Sequence, residues 1–90
     1  MTKAELINEM AAKSGLKPAQ AKAALEAFMG CVTEAARRGE DVRLVGFGNF
    51  TPVIRAAGIA RNPRTGQAVP RPESRTLRFR VGEALKGALH

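Results

Sequence analysis

Residues 42–66 read VRLVGFGNFTPVIRAAGIARNPRTG, and the periodicity of this stretch is that of strands and tight turns. Val42 and Leu44 alternate with Arg43, a period of two that marks a half-buried strand. Gly46-Phe47-Gly48 then supplies a tight turn into a second strand around Asn49–Ile54. Pro52 inside that strand lacks an N–H for a ladder, so it belongs at an edge or a bulge. Asn62-Pro63-Arg64-Thr65-Gly66 is a second and stronger turn signal.

Moving toward the C-terminus, the segment between the second strand and Arg75 cannot build a core. Ile59 and Val69 stand isolated among Gly58, Pro63, Gly66, Pro70, Pro72 and arginines. Its flanks are expected to pair as a protruding hairpin arm over about 55–75, mobile until something anionic orders it. Leu77, Phe79 and Val81 alternate with Thr76, Arg78 and Arg80, giving a strand with one apolar and one arginine-rich face. A short helix from Glu83 to about Leu89 closes the chain, with Glu83 in its first turn.

Toward the N-terminus the period becomes helical. Thr2-Lys3-Ala4-Glu5 has the form of a capping box, Leu6, Ile7 and Met10 make an apolar stripe, and Gly15 is the stop. Pro18 suits the first position of a second helix, where an N–H would have no partner. Ala21, Leu25, Phe28, Val32 and Ala35 then form a narrow seam suited to packing against another helix. Arg37 and Arg38 are expected in its last turn, with Gly39 ending it. The whole is an α+β chain: a helical part over 1–41, a three-stranded antiparallel sheet with its arm over 42–81, and a C-terminal helix over 82–90. Ninety residues make a single domain. At this length only about 60–65% of the unfolded chain's surface is buried, so partner chains are expected to complete the core.

Charge is segregated along this layout. The net charge is +7. Residues 1–41 balance six basic side chains with six acids, whereas residues 42–80 hold eight arginines against one acid, Glu73. Arginine presents a planar fork that fits phosphate oxygens and base edges, and its weak hydration eases entry into a groove. A solvated surface is the bland alternative, which segregation disfavours. Cys31 is the only cysteine, as a reducing cytosol allows, and no apolar run approaches a membrane span or a signal peptide. A soluble, intracellular protein is expected.

Catalysis finds little footing. His90, the only histidine, is the last residue, and Cys31 flanks the apolar seam without a second metal ligand nearby. No cofactor, metal or small-molecule substrate is expected, and no enzymatic activity. Gly46-Phe47-Gly48 lacks the third glycine, following helix and downstream lysine of a phosphate loop, so a strand-to-strand turn with Phe47 packed inward is preferred. Pro63 has two readings: the second residue of a type I turn, or a rigid wedge with no N–H to leave unpaired between base pairs.

Gly46-Phe47-Gly48-Asn49-Phe50, Arg55 and Arg61-Asn62-Pro63-Arg64-Thr65-Gly66 together resemble the HU family of bacterial nucleoid proteins, which includes integration host factor. The likeness runs without a gap through all ninety residues, from Lys3, Leu6 and Ile7 through the run at 21–25 to Phe79, Gly82 and Ala84-Leu85-Lys86. It implies an intertwined homodimer, or a heterodimer, with two β-arms that wrap the minor groove of double-stranded DNA. It makes Pro63 the intercalating tip, with Arg61 and Asn62 beside it, Arg55 at the arm base, and Lys3 and Lys86 within reach of phosphates. Arg64, Arg71, Arg75, Arg78 and Arg80 complete the expected DNA-binding set. Phe47, Phe50 and Phe79 form the implied dimer core, to which the seam adds Leu25, Phe28 and Val32 and the first strand adds Leu44.

Three departures bear on the arm and body. Gly58 stands where the family usually carries a basic or hydroxyl residue, so one arm contact is expected to be lost. Glu83 replaces a commonly basic position, which weakens wrapping along the body. Pro70 and Pro72 stiffen the returning arm strand. The expected function is architectural: binding and bending duplex DNA with little sequence preference, in the cytoplasm at the nucleoid. A site-specific relative of integration host factor acting as half of a heterodimer is one alternative. A basic protein that binds RNA or an acidic partner is the other.

Overall fold

The computed structural model describes residues 1–90. Along the chain come α1 (Lys3–Ser14), α2 (Pro18–Arg37), β1 (Val42–Leu44), β2 (Gly48–Arg55), β3 (Gly58–Arg61), β4 (Ala68–Arg71), β5 (Ser74–Val81) and α3 (Glu83–Ala88). The backbone divides into two units, residues 1–34 and residues 35–90.

In the first unit, capping sets both helix boundaries. The Thr2 hydroxyl accepts the Glu5 N–H at 3.2 Å, which satisfies a donor the helix itself cannot pair. Gly15 stops α1 in the left-handed conformation (φ 76°) and donates its N–H to the Ala11 carbonyl. Pro18 opens α2, and the Gln20 side chain accepts the Lys17 N–H at 3.0 Å just ahead of it. An exposed pair, Lys3 Nζ to Glu26 Oε1 at 3.4 Å, links the two helices. An ion pair in such solvent contributes little to stability. Ala11, Ala21 and Val32 are the buried apolar side chains here.

The apolar seam expected on α2 is present but unevenly covered. Ala21, Val32 and Ala35 are buried and Leu25 is half-buried, while Phe28 remains 39% exposed. Arg38 falls just past the end of α2 rather than in its last turn. Gly39 follows with a positive φ, and the Arg38 Nε instead donates to Glu40 at 3.2 Å.

The second unit is built on an antiparallel sheet of order β1-β2-β5, with β3 and β4 pairing as a separate two-stranded arm. Phe50 stands opposite both Val42 and Phe79, and β2 runs alongside β5 from Gly48↔Val81 to Arg55↔Ser74. Because β1 pairs with β2 only as far as Phe50, Pro52 lies where one side of β2 has no neighbour. There its missing N–H costs no ladder bond.

The turn between β1 and β2 also anchors α3. The Gly46 carbonyl accepts the Leu85 N–H at 3.0 Å, and the Phe47 carbonyl accepts the Gly82 N–H at 2.7 Å. The Gly82 N-cap has no side-chain acceptor to offer, so these turn carbonyls satisfy donors of the first helical turn. Close approach explains the glycine at position 48. A Cβ there would lie 2.5 Å from both the Arg80 carbonyl oxygen and the Phe79 ring.

Ring packing is tight but only partly covered. The Phe79 ring lies 4.9 Å from that of Phe50 and 5.6 Å from that of Phe47. Phe47 touches its neighbour yet stays 47% exposed, so the inward packing expected of it is incomplete. The physical reason is the size of the layer: a three-stranded sheet and a six-residue helix cannot enclose three phenyl rings. No large side chain of the chain is fully buried.

Candidate nucleic-acid interface

Register sorts the arginines of the sheet. Residues directly opposite in an antiparallel pair share a face, and neighbours along a strand alternate. Arg80 opposite Asn49, Arg78 opposite Thr51 and Arg55 opposite Ser74 therefore occupy one face. Arg43, opposite Asn49 on β1, joins them. The other face carries Phe50, Leu77, Phe79 and Val81, with Arg75 opposite Ile54 at its end.

Arg75 is thus separated from Arg78 and Arg80. Its Nε donates to Glu73 at 3.3 Å, and its Nη1 donates to the Arg37 carbonyl at 3.5 Å. Arg43 was absent from the expected DNA-binding set. The alternation Val42-Arg43-Leu44 already placed it on the polar side of its strand, but only the register puts it beside Arg80.

The arm interrupts twice before its tip. Ala56-Ala57 separates β2 from β3, and Pro72-Glu73 separates β4 from β5. Beyond the break, Gly58 faces Arg71, Ile59 faces Pro70, Ala60 faces Val69 and Arg61 faces Ala68. Pro70 sits within β4, so its rigid ring and missing donor are accommodated in a ladder of only four pairs.

The tip is a hydrogen-bonded turn. Asn62 donates its N–H to the Gln67 carbonyl at 2.9 Å, and its own carbonyl accepts the Gly66 N–H at 2.7 Å. The Asn62 Oδ1 accepts the Arg64 N–H at 2.9 Å, and Arg61 Nη1 donates to the Gly66 carbonyl at 3.1 Å. Asn62 is thereby spent on holding the turn, as its side-chain chemistry favours. Gly66 takes a positive φ of 71°, which a side chain would strain. Pro63 stands exposed at the apex, with exposed Arg61 and Arg64 close by in sequence. Pro63 thus lies in the turn and is solvent-accessible at the same time.

Lys3 lies in the first unit and is engaged by Glu26, while Lys86 is exposed on α3. Of the side chains expected in a dimer core, Val32 is buried, Leu25, Leu44 and Phe50 are half-buried, and Phe28, Phe47 and Phe79 are exposed. No helix of the protein is long and apolar enough to cross a membrane.

Comparison with known proteins places this geometry. The family model described as bacterial DNA-binding protein matches residues 1–90. The chain belongs to that family. DNA-binding protein HU of Caulobacter vibrioides is 60% identical over 89 residues, covering 99% of this chain and 97% of that one. DNA-binding protein HU of Geobacillus stearothermophilus is 46% identical over 89 residues, with 99% of each covered. Among solved structures, an Anabaena HU–DNA cocrystal structure superposes with a TM-score of 0.82 at 35% identity, covering 99% of this chain and 97% of that one. HU from Thermotoga maritima aligns over all of both chains with a TM-score of 0.70 at 30% identity. The HU-like fold, helices followed by antiparallel strands, an arm and a closing helix, is therefore that of the family.

Proposed function

We propose that this protein is an architectural factor that binds and bends double-stranded DNA with little sequence preference. It acts as a single domain of about ninety residues, paired with a second copy, at the bacterial nucleoid in the cytoplasm. One observation carries the reading: a two-stranded arm ends in an exposed proline, on a segment that holds the whole net charge of the chain. Kinship supports it, since relatives up to 60% identical are named DNA-binding proteins and one structural neighbour was crystallised with DNA.

The mechanism divides between charge and wedge. Arg55, Arg78 and Arg80 on one sheet face, with Arg43 added, neutralise backbone phosphates and release their counterions. Arg61, Arg64 and Arg71 extend the basic track along the arm, and Lys3 and Lys86 supply charge from the helices. Pro63 enters a base step at the minor groove. The unstacking costs on the order of a few kcal/mol and is offset by the phosphate contacts that bent DNA allows. Arg75, on the apolar face and tied to Glu73, has the smallest part.

Parallel titrations with duplex DNA, single-stranded DNA and RNA test this. The expected result is tightest binding to duplex, a steep negative slope of log K against log salt, and little difference between random and defined duplexes. Preference for RNA or single strands overturns the reading. A large specificity ratio for one duplex replaces it with a site-specific one.

A further inference from the structure

Gly58 and Arg71 face each other directly where β3 and β4 begin to pair, so they share one face of the arm. The Arg71 guanidinium lies over Gly58. A Cβ at position 58 would sit 2.9 Å from Arg71 Nη2 and 3.7 Å from its Cζ. Both residues are half-buried, whereas the other residues of β3 and β4 are exposed. The Arg71 Nε is buried and has no hydrogen-bond partner. Glu73, the one acid between residues 42 and 80, is committed to Arg75. Arg71 is therefore positioned by packing and left without an anion.

We infer that Gly58 is a positioning residue: by leaving its side-chain space empty it seats Arg71 across the strand, where the guanidinium takes one backbone phosphate oxygen of duplex DNA. The inference rests on the duplex-binding role proposed above. The charge that Gly58 cannot carry on β3 is supplied at the same pair from β4. Seating matters because a free arginine side chain loses much rotamer freedom on binding, and a seated one has lost part of it already. With no protein acceptor at its buried Nε, the guanidinium has no such bond to break when it takes a phosphate. Gly58 has no positive φ, so alanine is conformationally tolerated there. Its methyl group would displace only the far end of Arg71, which leaves the fold intact.

The test combines a mutant cycle on duplex DNA with a measurement on free protein. Arg71→Ala is expected to weaken duplex binding roughly fivefold and to lower the salt slope by about 0.9, one contact's worth. Gly58→Ala is expected to weaken binding about threefold when Arg71 is present and to change nothing in the Arg71→Ala background. Moving the charge across the pair, Gly58→Arg with Arg71→Gly, restores the wild-type slope. In the free protein, the Arg71 Nε proton exchanges with solvent more slowly than that of exposed Arg64, and Gly58→Ala removes the difference. Additive losses in the cycle, an unchanged slope for Arg71→Ala, or equal exchange at Arg71 and Arg64 overturn the inference while wild type still binds duplex. Failure of the wild type to bind duplex takes down the functional reading itself, and slow Arg71 exchange would then record packing alone.

Discussion

Pro63 occupies a turn position and is exposed, so the turn reading and the proposed wedge are compatible in one residue. Its ring sits in a turn held by Asn62, Gly66 and Gln67 through backbone bonds that do not involve a proline N–H. The turn therefore survives substitution, while the rigid apolar ring that would enter a base step does not. Pro63→Ala is expected to cut the DNA bend angle substantially and to alter affinity by no more than a few fold, as measured by energy transfer between the ends of a short duplex. An unchanged angle rejects the wedge. Gly48 makes the opposite case, because nothing about its role lies in its own chemistry. The Arg80 carbonyl and the Phe79 ring occupy the place of its Cβ, so only the partner strand explains why the residue is glycine.

At the scale of elements, β5 separates charge by parity. Arg78 and Arg80 share a face with Arg55 and Arg43, and Arg75 is on the other with Leu77 and Phe79. If the first face meets phosphates, Arg80→Ala should flatten the slope of log K against log salt by about 0.9, whereas Arg75→Ala should leave it within error of wild type. Equal effects from the two substitutions would mean that the sheet face does not select contacts. Much of this element-level organisation was legible beforehand. The change from helical to two-residue period after Asp41, the glycine stops and the turn at 62–66 mark the elements, because each depends on local backbone chemistry. Less legible were the breaks at 56–57 and 72–73 and the end of α2 one residue before Arg38. Such boundaries depend on where strand pairing stops competing with solvent, which no short window of sequence records.

For the whole molecule, the apolar side chains left open are the main fact. Phe28, Phe47 and Phe79 are each at least 39% exposed, and the buried apolar set is Ala11, Ala21, Val32 and Ala35. A core that thin cannot offset the chain entropy of ninety residues, so folding and pairing with a second copy are expected to be one process. The thermal midpoint should then rise with protein concentration, and sedimentation should report a dimer at micromolar concentration. A concentration-independent midpoint with a monomeric mass contradicts this. The element order, the location of the charge in residues 42–80 and the turn that carries Pro63 can all be read along the chain. These follow from periodicity, side-chain charge and turn chemistry, all properties of neighbours along the chain. Pairing between distant segments was needed to show that Arg43 stands beside Arg80 and that Arg71 rests over Gly58, whereas the alternation along β5 already set Arg75 apart from Arg78 and Arg80. Both juxtapositions depend on strand register, where a shift of one residue moves a side chain to the opposite face, and register is set by packing between residues distant in sequence.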